Sequence, residues 1–508
     1  MEKLEDLVDW LVEGRIGQLP AAIAVVAAYC LLQTATLPLL SSWAGTGVGI
    51  DDAEQLIYQP YLWAGYGGSQ PPLYNWTTWT VTHLIGANVL ALKIVKYSFL
   101  FAGFACAYAA MRKLGYRRTT TVCATLGLMT LPQLFWEAQR ALSHSVAAFA
   151  ASAALLLAFA ILAERRSLLA HALFGFVAAL AVLAKFNDIL IVFAIVAAAL
   201  SIREYRAVFL DRRVLAGLVV FLLAIAPTTI WSVLHIDTIF SRVYKFGIDG
   251  GGDGFLGKRV QGLSGLLTAG IQFVAATVAA YCVAFVWKRR APATRQRFGT
   301  APDSLLGRSL LIGLGATVLL VLASGSTTVR GRWLLPVLFL FPLYAAARVE
   351  KLGELGLQVQ RFVITVAAAI SLLVLPATWA VQVIGGEGGS RTTRIDYRAL
   401  TRDIKALGPV RTLFADAFWV GNFRLVDPDL VLLNPEVPEF GKLLREPSVL
   451  IWLRKEQPSP DDMARLREAG YEPSGDVVTL KAREFWGPDD GWPVHVMRLR
   501  RQGTAGAE

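Results

Sequence analysis

The chain has 508 residues, 55% of them hydrophobic and 17% charged, with mean hydropathy +0.50 and a formal net charge of +11. Soluble domains carry about 25% charged residues, so a soluble enzyme, a disordered chain and a coiled coil are excluded. The charge is unevenly placed: residues 390–508 hold 18 basic and 18 acidic groups, so the whole excess lies in the apolar part.

Residues 1–18 are acidic and amphipathic. Leu4, Leu7, Val8, Leu11 and Val12 fall on one helical face. Glu2, Glu5, Asp6 and Asp9 stand where a secretory signal would be basic. This pattern predicts an interfacial helix leading into the first span. Eleven apolar runs follow, each read as a membrane-crossing helix. They lie near 19–40, 88–111, 119–135, 144–163, 168–184, 188–202, 214–234, 263–287, 309–323, 333–347 and 362–384. The four cysteines, Cys30, Cys106, Cys123 and Cys282, sit within or at the end of these runs and read as small buried hydrophobes. None lies in the C-terminal region, so neither a disulfide framework nor a CxxC metal site forms there.

Basic loop residues set the orientation. One set of alternate loops holds 19 Lys and Arg, the other set 8, and none occurs between Arg15 and Lys93. The richer side is assigned to the cytoplasm. That places the loop at 41–87 outside, and an odd number of spans places the C-terminal region there too. The net charge is therefore an orientation signal and gives no support to nucleic-acid binding.

The first outer loop carries three carboxylates over 48–66 with no cation nearby in the sequence, then Gln70-Pro-Pro-Leu-Tyr-Asn-Trp76 among Trp63, Tyr66, Tyr74 and Trp79. Aromatics at this density suit the membrane interface, and short surface helices are expected. In the outer loop at 235–262, the Gly250-Gly-Gly-Asp-Gly254 run is expected to hold no regular structure. Residues 390–508 change character. Strand-like runs at 412–414, 430–433 and 449–453 alternate with helical patterns at 397–407 and 460–469. This predicts a small soluble α/β domain, with 1–389 as the membrane domain.

Four constellations have chemistry to offer. Asp51 and Asp52, with Glu54, either form a solvated turn that caps a helix or supply a general base, a metal ligand or both. Glu137, Arg140 and His144, spaced three and four apart, share one face if the segment is helical. They are either a polar helix end or a second acidic and imidazole wall. Lys185 sits between two apolar runs. It either snorkels from a span end or binds an anionic lipid phosphate. Arg330 and Arg332, before Trp333-Leu-Leu-Pro336, are candidates for a second phosphate clamp, and Lys245 is a further one.

Asp51-Asp-Ala-Glu54, Gly65-Tyr66 and Gln70-Pro-Pro-Leu-Tyr-Asn-Trp76 together resemble the first outer loop of the GT-C membrane glycosyltransferases. The closer likeness is to the bacterial branch related to protein O-mannosyltransferases, aminoarabinose lipid A transferases and rhizobial lipopolysaccharide galacturonosyltransferases. Pro132-Gln-Leu-Phe-Trp-Glu137, Arg140 to His144, Leu183-Ala-Lys185-Phe-Asn187 and Arg332-Trp-Leu-Leu-Pro336 support it over residues 15–385. The resemblance implies an α-helical polytopic GT-C fold of about eleven spans, with the α/β domain in the periplasm.

It also implies inverting transfer of a hexosyl or pentosyl group from a polyprenyl-phosphate sugar to an envelope glycan, lipid or protein, outside the inner membrane and among its lipids. Asp51 matches the family's acidic residue, with Asp52 beside it. Lys185 matches its phosphate-binding lysine and Arg332 its late basic residue. Glu54, Tyr66, Gln70 and Tyr74 would line the substrate. No cofactor is assigned, and a divalent cation is left open. One departure stands out: many members carry an Asp where this chain has Ser143-His144, so histidine either replaces that function or marks a different acceptor. A transporter or flippase of lipid-linked sugars, and a non-catalytic scaffold, are the competing expectations.

Overall fold

The computed structural model describes residues 2–68, 70–248, 254–293, 299–384, 390–453, 456–485 and 491–502. The chain starts with α1 (Glu2–Glu13), whose Val8, Leu11 and Val12 are buried. A two-residue β ladder, Arg15–Ile16 with Leu19–Pro20, turns it into α2 (Ala21–Ala44). The first outer loop folds as α3 (Ile50–Tyr58) and α4 (Leu73–Ile85). There follow α5 (Val89–Lys113), α6 (Arg118–Gly127), α7 (Ser143–Arg165), α8 (Leu168–Ala184), α9 (Ile189–Ser201) and α10 (Val214–Leu234). Next come α11 (Phe255–Lys288), α12 (Ala301–Ser324), α13 (Leu340–Glu350) and α14 (Glu354–Ile384). The expected irregular run at 250–254 lies, except for Gly254, outside the described residues.

Among the described residues, seven of these helices are long and apolar enough to cross a membrane: α2, α5, α7, α10, α11, α12 and α14. Each matches one expected apolar run. The other four runs are helical but short or broken. A 17-residue helix such as α8 spans about 25 Å, under the roughly 30 Å hydrocarbon core. The run at 188–202 forms α9 and then bends by 119° into Arg203–Phe209. The run at 119–135 ends α6 early, at a 3-10 turn and a π turn on either side of Pro132. The run at 333–347 is interrupted beside Pro336, where Leu335–Leu338 precedes α13. Length decides the contrast, because apolar composition is common to all eleven.

The C-terminal part contains α15 (Tyr397–Ala406), β1 (Thr412–Ala415), β2 (Val431–Leu433), β3 (Ser448–Leu453), α16 (Pro460–Glu468), β4 (Tyr471–Ala482) and β5 (Trp492–Arg501). The sheet order is β2-β1-β3-β5-β4. β1 runs parallel to β2 and β3, while β5 is antiparallel to β3 and β4. β1 and β3 are buried along their length, which is why they read as continuous apolar runs.

The chain divides into two units. The first comprises Met1–Leu32, Lys96–Val233 and Arg242–Pro376. Its buried α7 packs on α8, and α9 packs on α12. Gly175 and Gly217 bring α8 and α10 into backbone contact, since a Cβ on Gly175 would strike the Gly217 carbonyl. Tyr116 donates to Asp303 at 2.9 Å, and Lys351 lies 3.4 Å from the same carboxylate. Arg361 grips Asp9 of α1 with two bonds, 2.6 and 2.9 Å.

The second unit comprises Gln33–Val95, Leu234–Ser241 and Ala377–Glu508. The first outer loop therefore packs with the C-terminal sheet. Ile57, Tyr58 and Tyr66 share one core with Leu413, Phe414, Val449 and Trp452. Gln33, midway along α2, joins it to the C-terminal part of α14, donating to Thr378 at 3.0 Å and accepting from the Trp379 indole at 2.9 Å.

Candidate functional site

Each unit carries one of the clusters that the sequence singles out. In the second unit, α3 begins after Gly49, whose extended backbone (φ −64, ψ 167) makes it the cap. Asp51 and Asp52 occupy the first turn, where unpaired N–H groups and the helix dipole favour negative charge. Adjacent residues diverge on a helix, so the two carboxylates meet different surroundings. Asp52 is 2% exposed and Asp51 half-buried; Glu54 is buried as well. Lys93, near the start of α5, places its Nζ 2.7 Å from Asp52 Oδ2, and both side chains are buried. The loop that lacks cations in sequence thus gains one in space, and the solvated-turn reading fails for Asp52.

Asn422 fixes the approach to α3. Its Oδ1 accepts from the Val48 N–H at 2.6 Å, and its Nδ2 donates to the Val48 carbonyl at 3.2 Å. Gly421 lets this segment lie against α3, because a Cβ there would collide with the Ala53 carbonyl. The aromatics knit the loop together. Tyr66 meets Tyr58 edge-on at 5.2 Å, Tyr61 stacks on Trp63 at 4.4 Å, and the Trp76 indole donates to the Trp63 carbonyl at 2.7 Å. Burial pushes the Tyr66 hydroxyl up to about 12, so it stays protonated and donates to the Tyr61 carbonyl at 2.9 Å. Gln70 bridges back to Tyr66, and Tyr74 is fully buried. Tyr66 and Tyr74 therefore build the loop, with no exposed surface to line a substrate.

In the first unit, the apolar stretch 168–200 breaks where Lys185, Asn187 and Asp188 interrupt it. Lys185 is extended (φ −161, ψ 128) and a 3-10 turn at Phe186–Asp188 follows. Its Nζ donates to Ser145 Oγ at 2.9 Å and to the Arg332 carbonyl at 3.1 Å. Asn187 donates to the neighbouring Trp333 carbonyl at 2.7 Å. The Lys185 and Arg332 segments, far apart in sequence, are thereby held together beside the start of α7. Asp188 is fully buried and accepts from Ser152 at 3.2 Å. A Cβ on Gly331 would lie 2.7 Å from the Gln133 amide nitrogen, the flexible end of that side chain.

The remaining candidates scatter. His144 is buried one residue before Ser145. Glu137 ends the π turn and Arg140 ends a three-residue helix, with its guanidinium 5.1 Å from the Trp136 ring centroid. Leu142 then turns left-handed (φ 64) before α7 starts. Glu137, Arg140 and His144 consequently do not share one helical face, because the helix they were expected to occupy is interrupted between them. Lys245 is partly exposed on a 3-10 turn next to Phe246, whose ring lies 4.9 Å from Trp333. Arg330 is exposed. Among the described residues, no three His, Cys, Asp or Glu side chains converge as a metal site requires, and the Lys93 ammonium occupies one face of Asp52.

Comparison with known proteins gives the family. A family model described as dolichyl-phosphate-mannose-protein mannosyltransferase matches residues 69–231. The lipopolysaccharide core galacturonosyltransferase RgtB of Rhizobium johnstonii is 30% identical over 477 residues, covering 92% of this chain and 94% of that protein. The chain belongs to the GT-C glycosyltransferases. RgtA of the same organism, also a lipopolysaccharide core galacturonosyltransferase, is 28% identical over 424 residues, 81% of this chain and 83% of its own. The GT-C fold is matched by ArnT from Cupriavidus metallidurans, solved bound to undecaprenyl phosphate. The TM-score is 0.58 and the identity 14%, over 96% of this chain and 99% of that one. This GT-C chain is accordingly a glycosyltransferase and a multi-pass membrane protein, and none of these relatives favours the transporter expectation.

Sequence reasoning missed Lys93, Ser145 and Asp188, and took Asn187 only as part of the Leu183–Asn187 motif. Lys93 had a signal: it is the first cation after a stretch of 77 residues without one, at the start of a span. Ser145 had none, since a serine at a helix start is ordinary.

Proposed function

We propose that this enzyme transfers a galacturonosyl residue from a polyprenyl-phosphate carrier to the core of lipopolysaccharide, with inversion, on the periplasmic face of the inner membrane. The curated relatives support the sugar and the acceptor. The 19-to-8 bias of loop cations supports the orientation. The observation that carries the donor assignment is the Lys185 ammonium, half-buried at a helix break and oriented by Ser145 and the Arg332 carbonyl. A fixed cation in an apolar setting suits a lipid phosphate.

In this reading Lys185, with Arg332, holds the donor phosphate and neutralises the charge it gains as the glycosidic C–O bond breaks. The phosphate leaves without taking a proton. Asp51, the more open of the paired carboxylates, accepts the proton from the acceptor hydroxyl that attacks the anomeric carbon. Each side chain here belongs to a segment already argued on its own geometry.

Purified enzyme, labelled polyprenyl-phosphate galacturonic acid and lipopolysaccharide core test the proposal. Transfer of label to the core is expected, with mannosyl and pentosyl donors at least tenfold slower. No transfer from any lipid-linked donor refutes the activity. Full activity in Asp51→Asn sinks the base assignment alone. A periplasmic reporter fused to the C-terminus checks the orientation.

A further inference from the structure

A polyprenyl-phosphate galacturonosyl donor carries two negative charges, one on the carrier phosphate and one on the sugar carboxylate. Lys185 and Arg332 answer the first. The structure brings a third cation to the same cluster. Arg242 is 9% exposed, and among the described cations of 242–259 it is the one that is buried. The others are placed differently. Lys258 donates to the Ile248 carbonyl at 2.7 Å, Arg259 lies 3.4 Å from the Phe255 ring centroid, and Lys245 is partly exposed beside the Tyr244 ring.

Backbone contacts tie Arg242 to the Lys185 segment. Arg242 opens a 3-10 turn, Val243–Phe246, which ends at Gly247 in the left-handed region (φ 65). The Phe246 carbonyl accepts from the N–H groups of Thr327 and Thr328 at 3.0 and 3.2 Å and from Ser326 Oγ at 3.0 Å. The Gly247 carbonyl accepts from Thr327 Oγ1 at 3.0 Å, and the Phe246 ring lies 4.9 Å from Trp333. The carbonyls of Arg332 and Trp333 in turn hold Lys185 and Asn187. Lys185 and Arg242 both act electrostatically on the buried His144 ring, next to the serine that orients Lys185. Asp188, the buried carboxylate of the cluster, accepts from Ser152 and neighbours Lys185.

We infer that Arg242 is a specificity residue for the donor sugar: its guanidinium binds the carboxylate of a hexuronosyl group while Lys185 and Arg332 hold the phosphate. The inference rests on the proposed galacturonosyl transfer and deepens it. The sugar is joined to the phosphate through its anomeric carbon, so its carboxylate lies one ring's width from the phosphate oxygens. A guanidinium presents five N–H donors in a planar fork that matches a carboxylate, so it can keep its protein contacts and still hold the ligand. Burial strengthens the recognition, because water screens the pair less. A second negative charge brought into this setting without a partner would be costly. His144 fits the same reading. An imidazole adds no negative charge beside a uronate, where a carboxylate would repel it.

The test uses the purified full-length enzyme, lipopolysaccharide core and two labelled donors that differ only at C6: polyprenyl-phosphate galacturonic acid and polyprenyl-phosphate galactose. Wild-type enzyme is expected to prefer the uronyl donor by about 50-fold in kcat/KM, the size of one lost charge-assisted contact. Arg242→Gln is expected to lower kcat/KM for the uronyl donor by about 50-fold and to leave the galactosyl donor within threefold, which erases the preference. Arg242→Lys keeps the charge without the fork and is expected to lose about tenfold on the uronyl donor alone. Lys185→Met, by contrast, is expected to lower both donors equally, because both carry the phosphate.

A folded Arg242→Gln enzyme that loses both donors equally overturns the inference, because Arg242 would then serve the phosphate or the packing. Wild-type rates on the uronyl donor overturn it too. If Arg242→Gln fails to fold, Arg242→Lys decides: a loss confined to the uronyl donor supports the carboxylate contact, and an unchanged preference refutes it. Wild-type enzyme that transfers galactose but no galacturonic acid instead defeats the underlying sugar assignment, whatever the Arg242 series shows.

Discussion

Replacing Lys185 by methionine keeps most of the side-chain volume and removes the charge. The structural cost includes the loss of the cation that neighbours the fully buried Asp188, beside two hydrogen bonds. Ser145 loses an incoming hydrogen bond at 2.9 Å and the Arg332 carbonyl one at 3.1 Å, and ordinary hydrogen bonds contribute about 1 kcal/mol each. The functional cost is separate. A phosphate whose oxygen contacts Nζ has its charge centre about 4 Å away, which gives about 4 kcal/mol at an effective dielectric of about 20. Lys185 is half-buried, so water screening reduces this to about 2–3 kcal/mol. That corresponds to a loss of roughly 30- to 150-fold in kcat/KM for the lipid-linked donor. Lys185→Arg keeps the charge but misplaces it, and should fall between. The measurement is initial transfer rate against donor concentration in purified enzyme, with size-exclusion and thermal-melting controls. A folded Lys185→Met enzyme within threefold of wild type would refute the phosphate assignment.

Other expectations follow from the packing. Asn422→Ala leaves the buried Val48 N–H and carbonyl without partners, so a loss of about 2–3 kcal/mol is expected, seen as a lower melting temperature with matching loss of activity. Gly421→Ala forces a methyl group into the Ala53 carbonyl and should destabilise the α3 segment, measured as faster proteolysis of the first outer loop. Asp9→Asn removes an exposed ion pair with Arg361 and should leave melting temperature and transfer rate unchanged.

Much of the fold was legible because apolar composition is a local property. Every one of the eleven apolar runs is helical, and the buried strands β1 and β3 appear in the sequence as unbroken apolar stretches. The β4–β5 hairpin was not legible. Its outer strand alternates Asp476, Val478, Lys481 and similar residues with little buried side, so no apolar run marks it. Helix breaks were half legible: the polar residues at 185–188 and the prolines at 132 and 336 are visible, but the 119° bend after α9 is not.

For the site, the sequence alone determined which residues have the right chemistry. A lysine amid apolar runs and a cation-free acidic loop stand out, because charge is costly near a bilayer and rare in this chain. Only tertiary structure decided how those groups are used. Lys93 reaches Asp52 across 41 residues, Lys185 reaches the Arg332 carbonyl across 147, and Asn422 reaches Val48 across 374. Hydrogen bonds at those separations leave no periodicity, since each depends on how whole helices pack and not on neighbours along the chain. Composition thus named the family of chemistry, and packing assigned the two adjacent carboxylates of α3 to different surroundings.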